Sequence, residues 1–304
     1  MIKQTPTAYP SNFLPTTAAE LAARGIAQLD FVYIIGDAYV DHPSFGPAII
    51  SRVLESHGYT VGIIAQPDWH SAEEMKRLGR PRLAFLISAG NIDSMVNHYT
   101  SAKKRRSSDA YTPGGEAGRR PDRATIVYAN RAREAYRGVP VVIGGIEASL
   151  RRFAHYDYWD DKVRRSILAD SGADLLIYGM GERQIVEIAD ALASGLPIEQ
   201  VTYVSGTCYM TRTLEQVYEY EQIESYEAVA RDKKAYASAF MTQYREHDAI
   251  RGKRLVQPHG DGFLVVNPPA APLTTEELDA VYELPYMRAP HPSYHKEIPA
   301  LFEV

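Results

Sequence analysis

Five short apolar runs constrain this chain more than any other feature: residues 31–35, 60–65, 83–88, 139–143 and 173–178. Each is rich in β-branched or aromatic residues, lacks polar alternation and ends at glycine, serine or a turn. Strands that read this way are buried on both faces, and such strands belong to parallel sheets with helices on each side. The intervening segments carry helix signals. Residues 45–57 place Ile49, Ile50, Val53 and Leu54 on one face, and Gly58 follows as a stop. Ser71-Ala72-Glu73-Glu74 is a capping-box pattern opening a helix that ends at Gly79. Residues 123–136, 160–170 and 182–193 supply three more. Strands alternating with helices predict right-handed crossovers, hence an α/β, Rossmann-like doubly wound parallel sheet over residues 29–200.

The flanks read differently. Residues 1–28 form a polar, proline-punctuated lead-in with one short helix over 17–24, capped by Thr16 or Thr17. Residues 201–304 predict a smaller α+β extension and linker: a strand at 202–210, one long helix at 225–247, and a hairpin at 252–267 turning on Gly260-Asp261-Gly262. The stiff Pro268-Pro269-Ala270-Ala271-Pro272 then precedes a capped helix at 274–282. The last twenty residues carry no closing helix, so the polypeptide is expected to run on past Val304. Inside the sheet region, residues 100–122 make a long basic loop containing Lys103-Lys104-Arg105-Arg106. Such a loop is either plain solvated surface or a lid delivering cations to an anionic ligand.

Composition narrows the function classes. The formal net charge of -5, with both signs mixed along the chain, argues against a surface built wholly to grip nucleic acid. Twenty-one tyrosines against 8 phenylalanines suit clefts and half-buried surfaces. Cys208 is the one cysteine, so no intrachain disulfide forms and a reducing, cytoplasmic setting is expected. Neither a signal peptide over residues 1–15 nor a run of roughly 20 apolar residues is present, so no membrane association is expected. P-loop, GxSxG, HExxH, paired CxxC and nicotinamide fingerprints are all missing.

In open parallel sheets, ligands bind beyond the carboxyl ends of the strands. The loops there offer Asp37, Asp41 and His42 after the first strand, and Asn91 and Asp93 after the third. Gly144, Gly145 and Glu147 follow the fourth, and Glu182 follows the fifth. Carboxylate and imidazole suit metal or proton work, though Asp41 and His42 equally suit capping a helix that begins near Pro43. The glycine pair lets backbone approach a ligand closely, where a helix N-terminus suits an anion, or it simply makes a turn. His98, Tyr99 and Lys103 face the same rim or solvent. Arg151-Arg152-Phe153-Ala154-His155-Tyr156-Asp157-Tyr158-Trp159 mixes cations with aromatics, which packs against a partner domain or stacks bases.

Long ordered strings carry a resemblance. They are Gly36-Asp37-Ala38-Tyr39-Val40-Asp41-His42-Pro43-Ser44-Phe45-Gly46, Ala65-Gln66-Pro67-Asp68-Trp69, and Gly90 with Asp93-Ser94-Met95-Val96-Asn97-His98-Tyr99-Thr100. Ala110-Tyr111-Thr112-Pro113-Gly114-Gly115, the run from Gly144 to Trp159, and Tyr178-Gly179-Met180-Gly181-Glu182-Arg183 complete them. Together they resemble the N-terminal domain of the YgiQ-type radical-SAM family. The resemblance implies a fold like the cobalamin-binding domains that precede many radical-SAM barrels. It also implies a partner: the C-terminal radical-SAM barrel of the same polypeptide. In that family the stretch around His291-Pro292-Ser293-Tyr294 and Ile298-Pro299-Ala300-Leu301 leads into a CxxxCxxC loop. The loop holds a [4Fe–4S] cluster, whose open iron S-adenosylmethionine chelates. Cys208 alone cannot supply those thiolates, so no cofactor is expected in this chain alone and it should be catalytically silent.

Histidine-donating cobalamin domains use DxHxxG after the first strand, whereas here Asp41 adjoins His42 and three residues precede Gly46. Cobalt ligation by His42 is therefore not expected, while cobalamin binding without it stays open. The leading expectation is an accessory domain shaping substrate or cofactor access. The alternatives are a stand-alone cobalamin- or nucleotide-binding module, and nucleic-acid binding through residues 103–106 with Arg151 and Arg152.

Overall fold

The computed structural model describes residues 12–303. Strands β1 (Phe31–Ile35), β2 (Val61–Ala65), β3 (Ala84–Ser88), β4 (Val141–Ile143) and β5 (Leu175–Ile177) run parallel in the spatial order β2-β1-β3-β4-β5. Tyr33 sits opposite Ile63 on one side and Leu86 on the other. Helices α1 (Ala18–Ala23), α2 (Gly46–Ser56), α3 (Ser94–His98), α4 (Ala124–Ala135), α5 (Gly145–Leu150), α6 (Ile167–Ser171) and α7 (Glu182–Ala193) occupy the connections. Both sheet faces are buried, as the unbroken apolar runs require. Val32, Ile34, Phe85 and Val141 pack toward Tyr128, Ala129 and Ala132 of α4. Phe31, Tyr33, Leu86 and Val142 pack toward Val53 and Leu54 of α2 and Ile185 and Ile188 of α7. Each fully buried aliphatic side chain contributes on the order of 1.5–3 kcal/mol, so these two layers hold the sheet.

The sheet does not stop where the parallel pattern ends. Strand β6 (Thr207–Thr211) pairs antiparallel with β5, with Cys208 opposite Leu176. Strands β7 (Tyr220–Gln222), β8 (Arg254–His259) and β9 (Gly262–Val266) follow in the chain, and the full order is β7-β8-β9-β6-β5-β4-β3-β1-β2. The expected hairpin of β8 and β9 turns on Gly260 and Asp261, with Gly260 at φ 57° and Gly262 already paired opposite His259. The fold is therefore α/β with one large, mostly parallel mixed sheet, continuous across residue 200.

Local expectations fail at residues 160–170, 225–247 and 73–76, the first two for a polar reason. Residues 160–170 are not one helix. His155–Asp157 pairs with Lys162–Arg164 as a two-stranded ribbon before α6. Asp157 accepts the amides of Trp159 and Asp160 at 2.9 and 3.1 Å, which closes a turn instead of a helix. The stretch 225–247 is two helices, α8 (Tyr226–Arg231) and α9 (Lys233–Arg245). Asp232 breaks it with extended φ/ψ, its carboxylate accepting the amide of Lys234 at 2.9 Å as an N-cap. Residues 73–76 form only a 3₁₀ turn. Helix α10 (Thr275–Tyr282) has the predicted cap, with Thr274 and Glu277 exchanging hydrogen bonds.

The last described segment returns to the rim of the sheet. Ala289–Pro290 pairs antiparallel with Val40–Asp41, directly after β1. The Tyr39 amide donates to the Tyr294 hydroxyl at 2.9 Å, and the amide of His291 donates to the Tyr39 carbonyl at 3.0 Å. Ile298 and Ala300 pack with Ala38, Val40 and Phe45 in a small apolar cluster.

Candidate functional site

The order β2-β1-β3 reverses direction at β1 and β3, and this switch point is where doubly wound sheets receive ligands. Here the chain fills that place itself. Gly36 and Gly90 let the two loops approach, and Gly90, at φ 115°, lies so close to Asp37 that a methyl group would meet the carboxylate. The amide of Asn91 donates to Asp37 Oδ2 at 2.6 Å. Arg120, 1% exposed, arrives from the 100–122 loop and places Nη1 at 2.7 Å from Asp37 Oδ1. It also donates to Asp109 Oδ2 at 2.9 Å and to the Ala89 carbonyl at 2.9 Å. Burial pushes the Asp37 carboxyl up to about 6, with Arg120 pulling the other way. Burial also raises Asp109, but Arg120, Asn97 and the Tyr111 amide outweigh it and hold that carboxyl low.

The basic loop is therefore neither solvated throughout nor a detached lid. Its one buried cation clamps the switch point, while Lys104, Arg105 and Arg106 stay exposed. Sequence reasoning missed Arg120, which looks like any other residue of a basic loop. The nearest sequence signal was the carboxylate at Asp37, which needs a countercharge once buried.

An open cleft lies one step along the sheet, over the ends of β3, β4 and β5 and beside the first turns of α2 and α7. It encloses about 200 Å³, below the roughly 300–1,000 Å³ of pockets that bury a drug-sized ligand. Tyr33, Ser88, Gly90, Gly144, Gly145 and Glu182 are among its lining residues, and no lysine, arginine or histidine is. The Tyr33 hydroxyl is pushed up to about 12, chiefly by burial, with Ser88 opposing and Asp37 adding to the shift. Glu182 opens α7, and its Oε2 is buried with no hydrogen-bond partner. It also borders the groove between α7 and α10.

The nine expected rim residues thus divide. Gly144, Gly145 and Glu182 line the cleft. Asp37 and Asn91 stand at the switch point, where Asn91 also accepts the Gly46 amide at 3.3 Å and donates to the Ser44 carbonyl at 2.9 Å. The other four are engaged in holding the chain. Asp41 is fully buried against Arg52 and accepts the Met287 amide at 3.0 Å. The ring of His42 accepts the Ser44 amide at 3.1 Å in a turn, and burial with Arg288 nearby holds it below its usual range. Helix α2 spans Gly46–Ser56 with Phe45 at its N-cap, matching the helix read over 45–57 and not one starting near Pro43, so neither Asp41 nor His42 is its cap. Asp93 caps α3 through Met95 and Val96 and pairs with Arg151. Glu147 accepts the amides of Ser94 and Thr125 at 2.8 and 2.9 Å, buckling α3, α4 and α5 together.

The mixed cationic and aromatic run is divided too. The guanidinium of the half-buried Arg152 lies 4.7 Å from the ring centroid of the buried Tyr178. Tyr156 and Tyr158 of the ribbon are exposed. Cys208 lies buried in β6, where burial, opposed by Arg152, pushes its thiol up to about 12. Among the described residues, no three His, Cys, Asp or Glu side chains gather as metal ligands. No helix among the described residues is long and apolar enough to cross a membrane.

The family model described as Radical SAM N-terminal matches residues 13–304. The chain belongs to this family. It is 57% identical over 295 residues to a UPF0313 protein of Clostridium botulinum (strain 657 / Type Ba4), covering 96% of this chain and 46% of that relative. A UPF0313 protein of Clostridium perfringens (strain ATCC 13124) is 57% identical over 297 residues, covering 97% of this chain and 45% of the relative. The chain therefore spans about half the length of the curated relatives it matches. Radical-SAM chemistry runs on a thiolate-held iron–sulfur cluster, and the donor set present here does not fit one: a single buried cysteine with a raised thiol supplies no three-thiolate site.

Proposed function

We propose that this chain is the N-terminal accessory portion of a longer radical-SAM polypeptide. In this reading its carboxyl-end rim packs on the remainder and shapes access of substrate or cofactor to the reaction centre. The [4Fe–4S] cluster and S-adenosylmethionine then belong to that remainder. The observation that carries the reading is a set of exposed apolar side chains on elements at the carboxyl-end rim of the sheet. Val96 of α3 is 59% exposed, Leu150 of α5 is 63% exposed and Met180 is 56% exposed, with Ile146 alongside. These elements adjoin: Glu147 of α5 holds the Ser94 amide of α3, and Ser149 accepts the Gly179 amide at 3.3 Å. Exposed apolar side chains on linked elements mark an interaction surface. Relatives about twice as long as this chain point to the occupant, the remainder of the longer polypeptide.

A free-standing cobalamin module has less support. No histidine lines the cleft, His42 is engaged in its own turn, and the cleft is small beside a corrin macrocycle. The test is dye binding by the chain alone. It should self-associate and enhance an apolar-surface dye. Joint substitution Ile146→Glu, Leu150→Glu and Met180→Glu should remove both effects with the melting temperature little changed. A monodisperse wild-type chain without dye binding would remove the reading.

A further inference from the structure

The cleft has a chemistry of its own, although Met180 belongs both to its lining and to the exposed rim. Nineteen residues line it, six of them glycine, and most of the remainder are aliphatic. Bare peptide faces and aliphatic walls suit a flat, uncharged ring. At Gly46 and Gly179 the space a Cβ would point into is open, so the glycines leave room that side chains would fill.

The polar groups restrict the ligand further. Glu182 is 9% exposed, yet its Oε2 has no hydrogen-bond partner. A buried acceptor left unpaired is costly and calls for a donor that the protein does not itself supply. No lysine, arginine or histidine lines the cleft, so Glu182 is the one charged side chain that a ligand meets there, and its carboxylate favours a donor over a phosphate or carboxylate. The part of the ligand that meets Glu182 is therefore a donor and not an anion. Tyr33 and Ser88 also line the cleft, and their hydroxyls can donate to ring nitrogens.

We propose that this cleft binds an amino-substituted planar heterocycle, represented by the adenine ring of a nucleoside, with its exocyclic amine donating to Glu182. The ring packs against the glycine-rich walls, and the attached sugar remains at the mouth.

Calorimetry of the chain with adenosine and inosine tests this. Inosine replaces the amine by a carbonyl, which sets acceptor against acceptor at Glu182. Adenosine is expected to bind saturably, and inosine at least tenfold more weakly. Glu182→Gln keeps the size and offers an amide donor, so it should weaken adenosine, strengthen inosine and narrow or reverse the preference. Absence of saturable adenosine binding at roughly 1 mM, the weak end of specific recognition, would overturn the assignment. So would equal binding of the two nucleosides, or a Glu182→Gln chain with the wild-type preference. The wild-type comparison stands even if that variant fails to fold. Adenosine binding with a rim that stays open in the longer polypeptide would keep this assignment and remove the docking reading, and the reverse result would do the opposite.

Discussion

Arg120→Met is the sharpest perturbation of the switch point. Arg120 is 1% exposed and meets Asp37 at 2.7 Å, Asp109 at 2.9 Å and the Ala89 carbonyl at 2.9 Å. Methionine fills much of the volume but leaves two buried carboxylates facing each other without a cation. Breaking a buried pair by removing one partner costs about 3–5 kcal/mol, because the charge left behind is uncompensated. At about 2 °C per kcal/mol for a chain of this size or somewhat smaller, the melting temperature should fall by roughly 6–10 °C. Urea unfolding followed by tyrosine fluorescence and far-ultraviolet dichroism measures the loss. Adding Asp37→Asn to Arg120→Met removes one orphaned charge and should restore part of the stability, since contacting residues couple by about 0.5–3 kcal/mol. A loss under about 1 kcal/mol for the single variant, or strict additivity in the double, would refute the clamp.

Three further outcomes follow from the same structure. Asp37 is raised in the fold from 3.8 to about 6. Its favourable contribution is complete below about pH 4 and is lost as the pH rises through 6, on the order of 3 kcal/mol. Asp37→Asn should flatten urea midpoints between pH 4 and 7, and an unchanged slope would contradict the assignment. Gly90→Ala must adopt φ 115° and push a methyl into the Asp37 carboxylate, so it should cost about 3 kcal/mol or more by urea unfolding. Cys208, buried with its thiol near 12, should resist a thiol reagent at neutral pH in the native chain and react fully in denaturant. Rapid native labelling would show that β6 opens.

The parallel core was legible because burial on both faces leaves a direct mark: unbroken runs such as Phe31–Ile35 and Ala84–Ser88 have no solvent side to make polar. The hairpin was legible from Gly260. What escaped was decided by polar side chains bonding across the chain. Asp157 and Asp232 capture nearby amides and turn predicted helices into a ribbon and a break. The rim showed the same split. Strand ends located the loops, and they held Gly144, Gly145 and Glu182. Nothing local announced that Asp41 would be buried on Arg52, or that Arg120 would cross from a basic loop to Asp37. Those partners are set by tertiary packing, 11 and 83 residues apart along the chain.

Hydrogen exchange on the full-length Clostridium botulinum relative, compared with its N-terminal half alone, tests the docking of the rim most directly. The segments corresponding to α3, α5 and residues 179–181 should exchange fast in the half and slowly in the whole, while the strands of the parallel sheet remain equally protected. Equal exchange at these segments in both would contradict an accessory role for this surface.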